Sequence, residues 1–299
     1  MPNIAYKSCL AIDGVVFPFS DCSLAKTRMY NVNMPLRSVG PIEYSSGPIH
    51  IGGTITLPLF GTWGDSITFT AIKQLVLNPI IRTIIVDYGY ALIPNSGETR
   101  HIVQYNNCII KAATVSCQPG SYAICTLDVG AQSTTNLTSF PYMHSMDYSV
   151  QAFGLVTFDK TKVSTLSGYG DVVSNNVSGW SFTITRDWNE YWGWNNTRAS
   201  GDYNNNHVWD SIAPGNIKIE GNFNLLQYQL IANPNILRID VGSNFNSSNF
   251  ITFHKTLFSE MIPPVGGPND RIIYPVKFIC VGDGINGSDP SYGRNGLAS

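Results

Sequence analysis

Charge is scarce in this chain. Of 299 residues, 13% are Asp, Glu, Lys or Arg, and 18 basic residues stand against 20 acidic ones. A net charge of −2 supplies no field of the kind that captures phosphate backbones, so tight nucleic-acid binding is not its expected work. Metal motifs are missing too. The six cysteines, Cys9, Cys22, Cys108, Cys117, Cys125 and Cys280, form no C-x-x-C pair, which speaks against a zinc knuckle and for buried free thiols. The five histidines, His50, His101, His144, His207 and His254, are far apart and form no H-x-x-x-H or H-E-x-x-H. There is no G-x-S-x-G elbow, no Walker loop and no dinucleotide fingerprint. Residues 283–289 are rich in Gly, Asn and Asp, but their spacing fails the EF-hand pattern and reads as a turn. No catalytic residue, metal or cofactor is therefore expected. The longest apolar stretch, 75–92, is broken by Asn78, Pro79, Arg82 and Asp87, so no membrane insertion is expected. Residues 1–13 lack the basic end and apolar run of a secretory signal.

Asn, Ser, Thr and Gly fill the space that charge leaves, alongside many Ile, Val, Tyr and Phe. That mix favours strands and turns, and the expected class is mainly β. The chain also repeats itself. Gly47-Pro48-Ile49-His50-Ile51-Gly52-Gly53-Thr54-Ile55-Thr56-Leu57 falls on Gly215-Asn216-Ile217-Lys218-Ile219-Glu220-Gly221-Asn222-Phe223-Asn224-Leu225. Ser23-Leu24-Ala25-Lys26-Thr27-Arg28 falls on Ser181-Phe182-Thr183-Ile184-Thr185-Arg186, and Gln74-Leu75-Val76-Leu77-Asn78-Pro79 on Gln229-Leu230-Ile231-Ala232-Asn233-Pro234. A weaker match sets 102–110 on 251–259. The four matches keep one order, as a tandem duplication would.

The spacing predicts two domains, 1–131 and 171–299, joined by a bridging segment 132–170 that holds one strand candidate at 150–158. In each, a first strand leads through a polar excursion, 32–46 or 190–214, to the glycine-flanked second strand. A short helix is expected over 70–77, ended by Pro79. Three further strands follow in each copy, at 80–86, 101–113 and 122–129, and at 236–241, 250–258 and 272–280. The tail from 282 reads as an extended arm. On the second strand, Ile49, Ile51, Ile55 and Leu57 share one face, while His50, Gly52, Thr54 and Thr56 share the other. In the second copy Lys218, Glu220, Asn222 and Asn224 take the polar face. Each copy thus presents a core face and a wet face.

Aromatics concentrate at Trp188-Asn189-Glu190-Tyr191-Trp192-Gly193-Trp194-Asn195-Asn196. Rings beside amides suit a sugar platform, since a ring stacks on a sugar face while Asn bonds hydroxyls. They suit a subunit interface for the same amphipathic reason, and that reading is favoured here.

The run Val177-Ser178-Gly179-Trp180-Ser181-Phe182-Thr183-Ile184-Thr185-Arg186, a loop, and then Ile212-Ala213-Pro214-Gly215-Asn216-Ile217-Lys218-Ile219-Glu220-Gly221-Asn222-Phe223 resembles tail tube proteins of tailed bacteriophages. So does Tyr105-Asn106-Asn107-Cys108-Ile109-Ile110-Lys111-Ala112-Ala113-Thr114-Val115-Ser116 with the later strand ending Asp128-Val129-Gly130. The resemblance implies two tandem tube-like β-barrel or β-sandwich domains, each with a short flanking helix. It implies six such domains per ring, and rings stacked into a hollow tube that DNA passes through without sequence-specific contact. His50, Thr54, Thr56, Lys218, Glu220, Asn222 and Asn224 would face the lumen. Tyr191, Trp192, Trp194, Asn195 and Tyr203 would meet the next ring. Two units per chain favour trimeric rings, with hexamers of the whole chain as the alternative. The partners would be other copies of the chain and other tail proteins, in a virion assembled in the host cytoplasm. A tail-tip hub, a carbohydrate-binding β-sandwich and, third, a glycosidase are the competing readings.

Overall fold

The computed structural model describes residues 9–17, 19–33, 43–59, 75–93, 97–142, 158, 161–165, 177–191, 211–226, 236–241, 250–254, 256–259, 273–280 and 297–298. Strand dominates them, as the composition predicts. In chain order the strands are β1 (Cys9–Ile12), β2 (Val15–Phe17), β3 (Asp21–Cys22), β4 (Ala25–Asn33), β5 (Glu43–Pro58), β6 (Arg82–Ile93), β7 (Gly97–Cys117), β8 (Ile124–Ala131) and β9 (Ser133–Leu137). They continue with β10 (Thr161–Thr165), β11 (Val177–Tyr191), β12 (Ser211–Leu225), β13 (Ile236–Val241), β14 (Phe250–His254), β15 (Thr256–Phe258), β16 (Tyr274–Cys280) and β17 (Leu297–Ala298).

One antiparallel path runs β4-β5-β8-β7-β11-β12-β16-β15, with β3 extending the line of β4 along β5. The long strand β7 belongs to two layers. Its first half pairs with β6 and β9, and β6 carries β1 and β2; its second half lies between β8 and β11. The second part of the chain repeats this plan. There β14 pairs with β13 and β17, β13 carries β10, and β15 pairs with β16. The counterpart of β7 is thus split, into β14 and β15.

Register makes the repeat concrete. Arg28 lies opposite Ile49, and its sequence match Arg186 lies opposite Ile217, the match of Ile49. A register shift follows in both, between Arg28 and Tyr30 and between Arg186 and Trp188. A bulge kinks its strand and strengthens the twist, so the two copies bend at the same step. The recurring glycines have one cause as well. A Cβ on Gly53 would sit 2.4 Å from the Ser23 carbonyl oxygen, and one on Gly221 would sit 2.5 Å from that of Ser181. Ser23 and Ser181 are themselves matched in sequence. At these crossings the neighbouring strand comes too close for any side chain.

Alternation drives the layering. Along β11, Trp180, Phe182, Ile184 and Arg186 are buried, while Ser181, Thr183 and Thr185 are half-buried and Asp187 is exposed. Phe182 packs edge-on against Phe253 of β14 at 5.1 Å between ring centres, and Phe253 meets Phe278 of β16 at 5.2 Å. Burying such rings is the largest source of stability available to a chain with few ion pairs. All six cysteines are free; Cys9, Cys108, Cys117 and Cys125 are buried and Cys22 and Cys280 half-buried, close to what the sequence implied. Burial pushes the thiols of Cys9, Cys108, Cys125 and Cys280 up to about 12. Among the described residues no helix is long and apolar enough to cross a membrane.

Several boundaries differ from the sequence reading. The excursion expected over 32–46 is shorter, because β4 runs to Asn33 and β5 starts at Glu43; likewise β11 runs to Tyr191 and β12 starts at Ser211. Ladder pairing carries polar residues such as Asn33 and Glu43 into the strands. Segment 132–170 supplies β9 and β10, each paired back onto one copy, and Phe158 lies in no strand. The hairpin β1–β2 was not expected as a paired element. Of the helix expected over 70–77, the described part, 75–77, is a helical turn that stops before Pro79.

Candidate functional site

The polar residues of successive strands line up on one face of the eight-strand path. Asp21 lies opposite Thr56, Thr56 opposite Thr126, and Thr126 opposite Thr114. Thr114 lies opposite Thr183, Thr183 opposite Glu220, Glu220 opposite Ile279, and Ile279 opposite Leu257. The row is polar from Asp21 to Glu220, across both copies, and ends at the far edge in the exposed apolar side chains of Ile279 and Leu257. The next row belongs to the core face. Cys22, Ile55, Leu127, Ala113, Ile184 and Ile219 stand opposite one another in turn, and all but the edge residue Cys22 are buried. Strand period two separates the rows, so the polar surface from Asp21 to Glu220 backs a continuous core.

The polar face is held by short side chains. Thr54 Oγ1 and Ser23 Oγ are 2.9 Å apart, and Thr114 Oγ1 and Thr183 Oγ1 are 3.0 Å apart, the latter pair spanning the two copies. Its charges are few. Lys218 Nζ is 2.8 Å from Glu220 Oε2, with both side chains about half exposed, so the lysine on the second strand is already matched on its own strand. Asp128 lies opposite Thr54, and Lys277 lies opposite Asn222. Among the described residues the face therefore carries hydroxyls and amides with a few charges of both signs, Asp21, Asp128 and Glu220 beside Lys218 and Lys277.

His50, Thr54 and Thr56 are half-buried, Lys218, Glu220 and Asn222 are exposed, and Asn224 is half-buried. The structure brings all seven onto the same sheet face, the first three on β5 and the other four on β12. Thr114, Thr126 and Thr183 belong there equally, and sequence reasoning passed over them. They sit on strands whose polar positions are single threonines among apolar neighbours, and only the pairing shows that they form a row. Of the residues expected to meet another ring, Tyr191 ends β11 and is exposed. Trp192, Trp194, Asn195 and Tyr203 lie outside the described residues.

The two copies meet where β7 pairs with β11, from Cys117 opposite Trp180 to Ala112 opposite Thr185. Three side chains of the second copy fasten this seam to the first. Arg186 donates from Nε to the Val76 carbonyl at 2.8 Å and from Nη2 to the Leu77 carbonyl at 2.6 Å. Trp188 Nε1 donates to the Ile110 carbonyl at 3.0 Å, and Lys111 Nζ lies 2.9 Å from Glu190 Oε1. Arg186 is buried, and burial lowers its pKa from the usual value. A guanidinium still keeps its proton there, because its donors are met by carbonyls at the end of a helical turn, which lack helical partners of their own. The recurrence of an arginine on an otherwise apolar strand face, in a chain poor in charge, was the sequence signal for this contact.

Among the described residues, no group of three or more His, Cys, Asp or Glu is placed to hold a metal ion. No known protein family's sequence model matches this chain, and no curated protein sequence matches it.

Proposed function

We propose that this chain is a structural protein of a bacteriophage tail, whose copies close into stacked rings that form the hollow tube for DNA passage. The observation that carries the reading is the polar row from Asp21 to Glu220, which runs through both repeats with the core on its other side. A sheet that is wet on one face, and whose end strands β4 and β15 each pair on one side only among the described residues, suits the wall of a larger barrel, since closure alone removes edges. Each repeat would be one tube-like domain, the first extending to β9 and the second beginning by β10, with a helix flanking each. Two domains per chain favour three chains per ring, because closed symmetry then gives six wall segments. A lumen of hydroxyls, amides and carboxylates lets DNA slide, whereas clustered lysines would hold it. The chain would act in the virion, with its own copies and other tail proteins as partners, and with no catalysis.

Electron microscopy of the purified chain in negative stain tests this. Rings or tubes with an open centre support it. A persistent monomer that binds glycans, and loses that binding in Trp192→Ala and Trp194→Ala, would replace it with the sugar-binding reading. Deleting 192–206 should leave the sheet folded and abolish stacking; long tubes from that variant would show that this stretch is not the contact between rings.

A further inference from the structure

The layer formed by β1, β6, β9 and the first half of β7 carries a second polar ladder, apart from the row that crosses both copies. Gln104 lies opposite Thr135 and Asn106 opposite Ser133, where β9 pairs with β7. Gln104 donates from Nε2 to Asn106 Oδ1 at 2.6 Å. Asn106 donates from Nδ2 to Thr135 Oγ1 at 3.1 Å and to Ser133 Oγ at 3.4 Å. Gln104, Asn106 and Ser133 are half-buried and Thr135 is exposed. Each amide is thus held in one orientation by its neighbours. An amide offers two N–H donors and two carbonyl lone pairs, and a hydroxyl that accepts a bond still has a proton to give. Two amides and two hydroxyls therefore have more capacity than these three contacts use.

Aromatic rings adjoin the ladder. Ile85 of β6 lies opposite Gln104, and Ile102 stands two residues before Gln104 on β7. With Ala11 these residues form a small buried cluster, and Phe140 and Tyr142 pack half-buried against it, edge to face at 5.8 Å between ring centres. A Cβ on Gly14 would stand 3.6 Å from the Tyr142 ring, so Tyr142 lies on the side of the β1–β2 turn while the amides lie toward β9. The charges of this layer come in pairs, Asp87 with Arg100 and Asp13 with Arg82. The duplicated plan does not require amides here. In the second copy β14 meets β17 with Leu297 opposite Phe253 and Ala298 opposite Thr252.

We propose that this face of the first copy binds a neutral carbohydrate. A ring of the Phe140–Tyr142 pair stacks on the apolar face of one sugar, while Gln104, Asn106, Ser133 and Thr135 exchange hydrogen bonds with its hydroxyls. Uronic and sialic acids are disfavoured, because their carboxylates are best met by a cation free to form charge-assisted bonds. The site lies within one copy of one chain, so it depends neither on ring closure nor on the Trp192 and Trp194 stretch.

Affinity electrophoresis of the full chain tests it, in native gels containing dextran, mannan, galactan or, as the acidic control, alginate. Far-ultraviolet circular dichroism checks the fold of each variant. The wild type should be slowed by at least one of the three neutral polymers and not by alginate. Asn106→Ala and Gln104→Ala should each weaken that binding at least about fivefold, the worth of one hydrogen bond, with an unchanged spectrum. Tyr142→Ala should weaken it as much or more, and if that variant loses its native spectrum the two amide variants decide. The double variant Trp192→Ala, Trp194→Ala should bind as the wild type does. Mobility unchanged by all three neutral polymers overturns the proposal, as does retardation by alginate alone. Binding kept in both amide variants overturns it too, and its loss in the tryptophan double variant alone would place the sugar on that stretch instead. Rings seen by microscopy are unaffected by any of these outcomes, so the tube reading stands or falls separately.

Discussion

The interior seam and the outer edges are built from matching strands, yet among the described residues only the seam is paired on both sides. At the seam, Phe182 and Ile184 are buried between two layers and β7 completes the hydrogen bonding of β11. At the edge, their counterparts Leu24 and Lys26 are half-buried and exposed. A lysine on an edge strand is a common guard against uncontrolled pairing, and its stem can still lie along an apolar neighbour while its amine reaches water. The difference teaches that one register carries an apolar face where a neighbouring strand covers it and a charged residue where, among the described residues, none does.

Substitutions can break that comparison, beginning with the largest effect. Phe182→Ala should cost about 3–5 kcal/mol of unfolding free energy, and Leu24→Ala in a dilute, unassembled chain clearly less. Guanidinium titrations of both would show it, and equal losses would mean that the edge is as well packed as the seam. Next come the paired glycines. Gly221→Ala should cost about 1–3 kcal/mol by pushing against the Ser181 carbonyl and the Phe278 ring. Gly53→Ala should cost more, because its φ of 149° adds backbone strain to the clash with Ser23. Thermal melts in which Gly221→Ala proved the worse would show that crowding outweighs backbone strain at these crossings.

The buried thiols give a smaller, pH-dependent effect. Their pKa values are raised by burial, to about 12 for Cys108 and Cys125, so the folded state keeps protons that the unfolded state loses from about pH 9 upward. Their contribution is complete below pH 9 and is lost between pH 9 and 12, by about 1 kcal/mol per thiol at pH 10. The urea midpoint should fall over that range, and Cys125→Ala should flatten the fall; an unchanged slope would mean that the thiol is not sealed in. Smallest of all, Lys218→Ala should shift stability by less than about 1 kcal/mol, since its partner Glu220 is as exposed as it is. A larger loss would mark the wet face as a structural network.

Much of the sheet was legible in the sequence. The matched runs around Ile49 and Ile217, and around Arg28 and Arg186, reappear as equal registers with equal bulges, because alternation fixes which side chains can be buried. The seven polar residues assigned to one face do share it for the same reason. Legibility stopped where pairing is long-range. Segment 132–170 read as a bridge, although β9 returns to β7 and β10 joins β13, because five-residue threonine-rich strands carry little periodicity of their own. The hairpin β1–β2 depends on a turn at Asp13 and Gly14, with Asp13 accepting from the Thr83 amide and from Arg82, a partner about seventy residues away.

By itself the sequence determined that the chain is mainly β, that matching runs recur in its two parts, and that each glycine-flanked strand has one wet and one dry face. Composition and a two-residue period suffice for that, since both are local properties. Only the tertiary structure decided that β7 pairs with β11, and so that two wet faces join into a single surface from Asp21 to Glu220. No local pattern encodes that seam. It follows from which edge finds complementary hydrogen bonds and a fitting apolar row, and Arg186 then locks it to the Val76 and Leu77 carbonyls more than a hundred residues back along the chain.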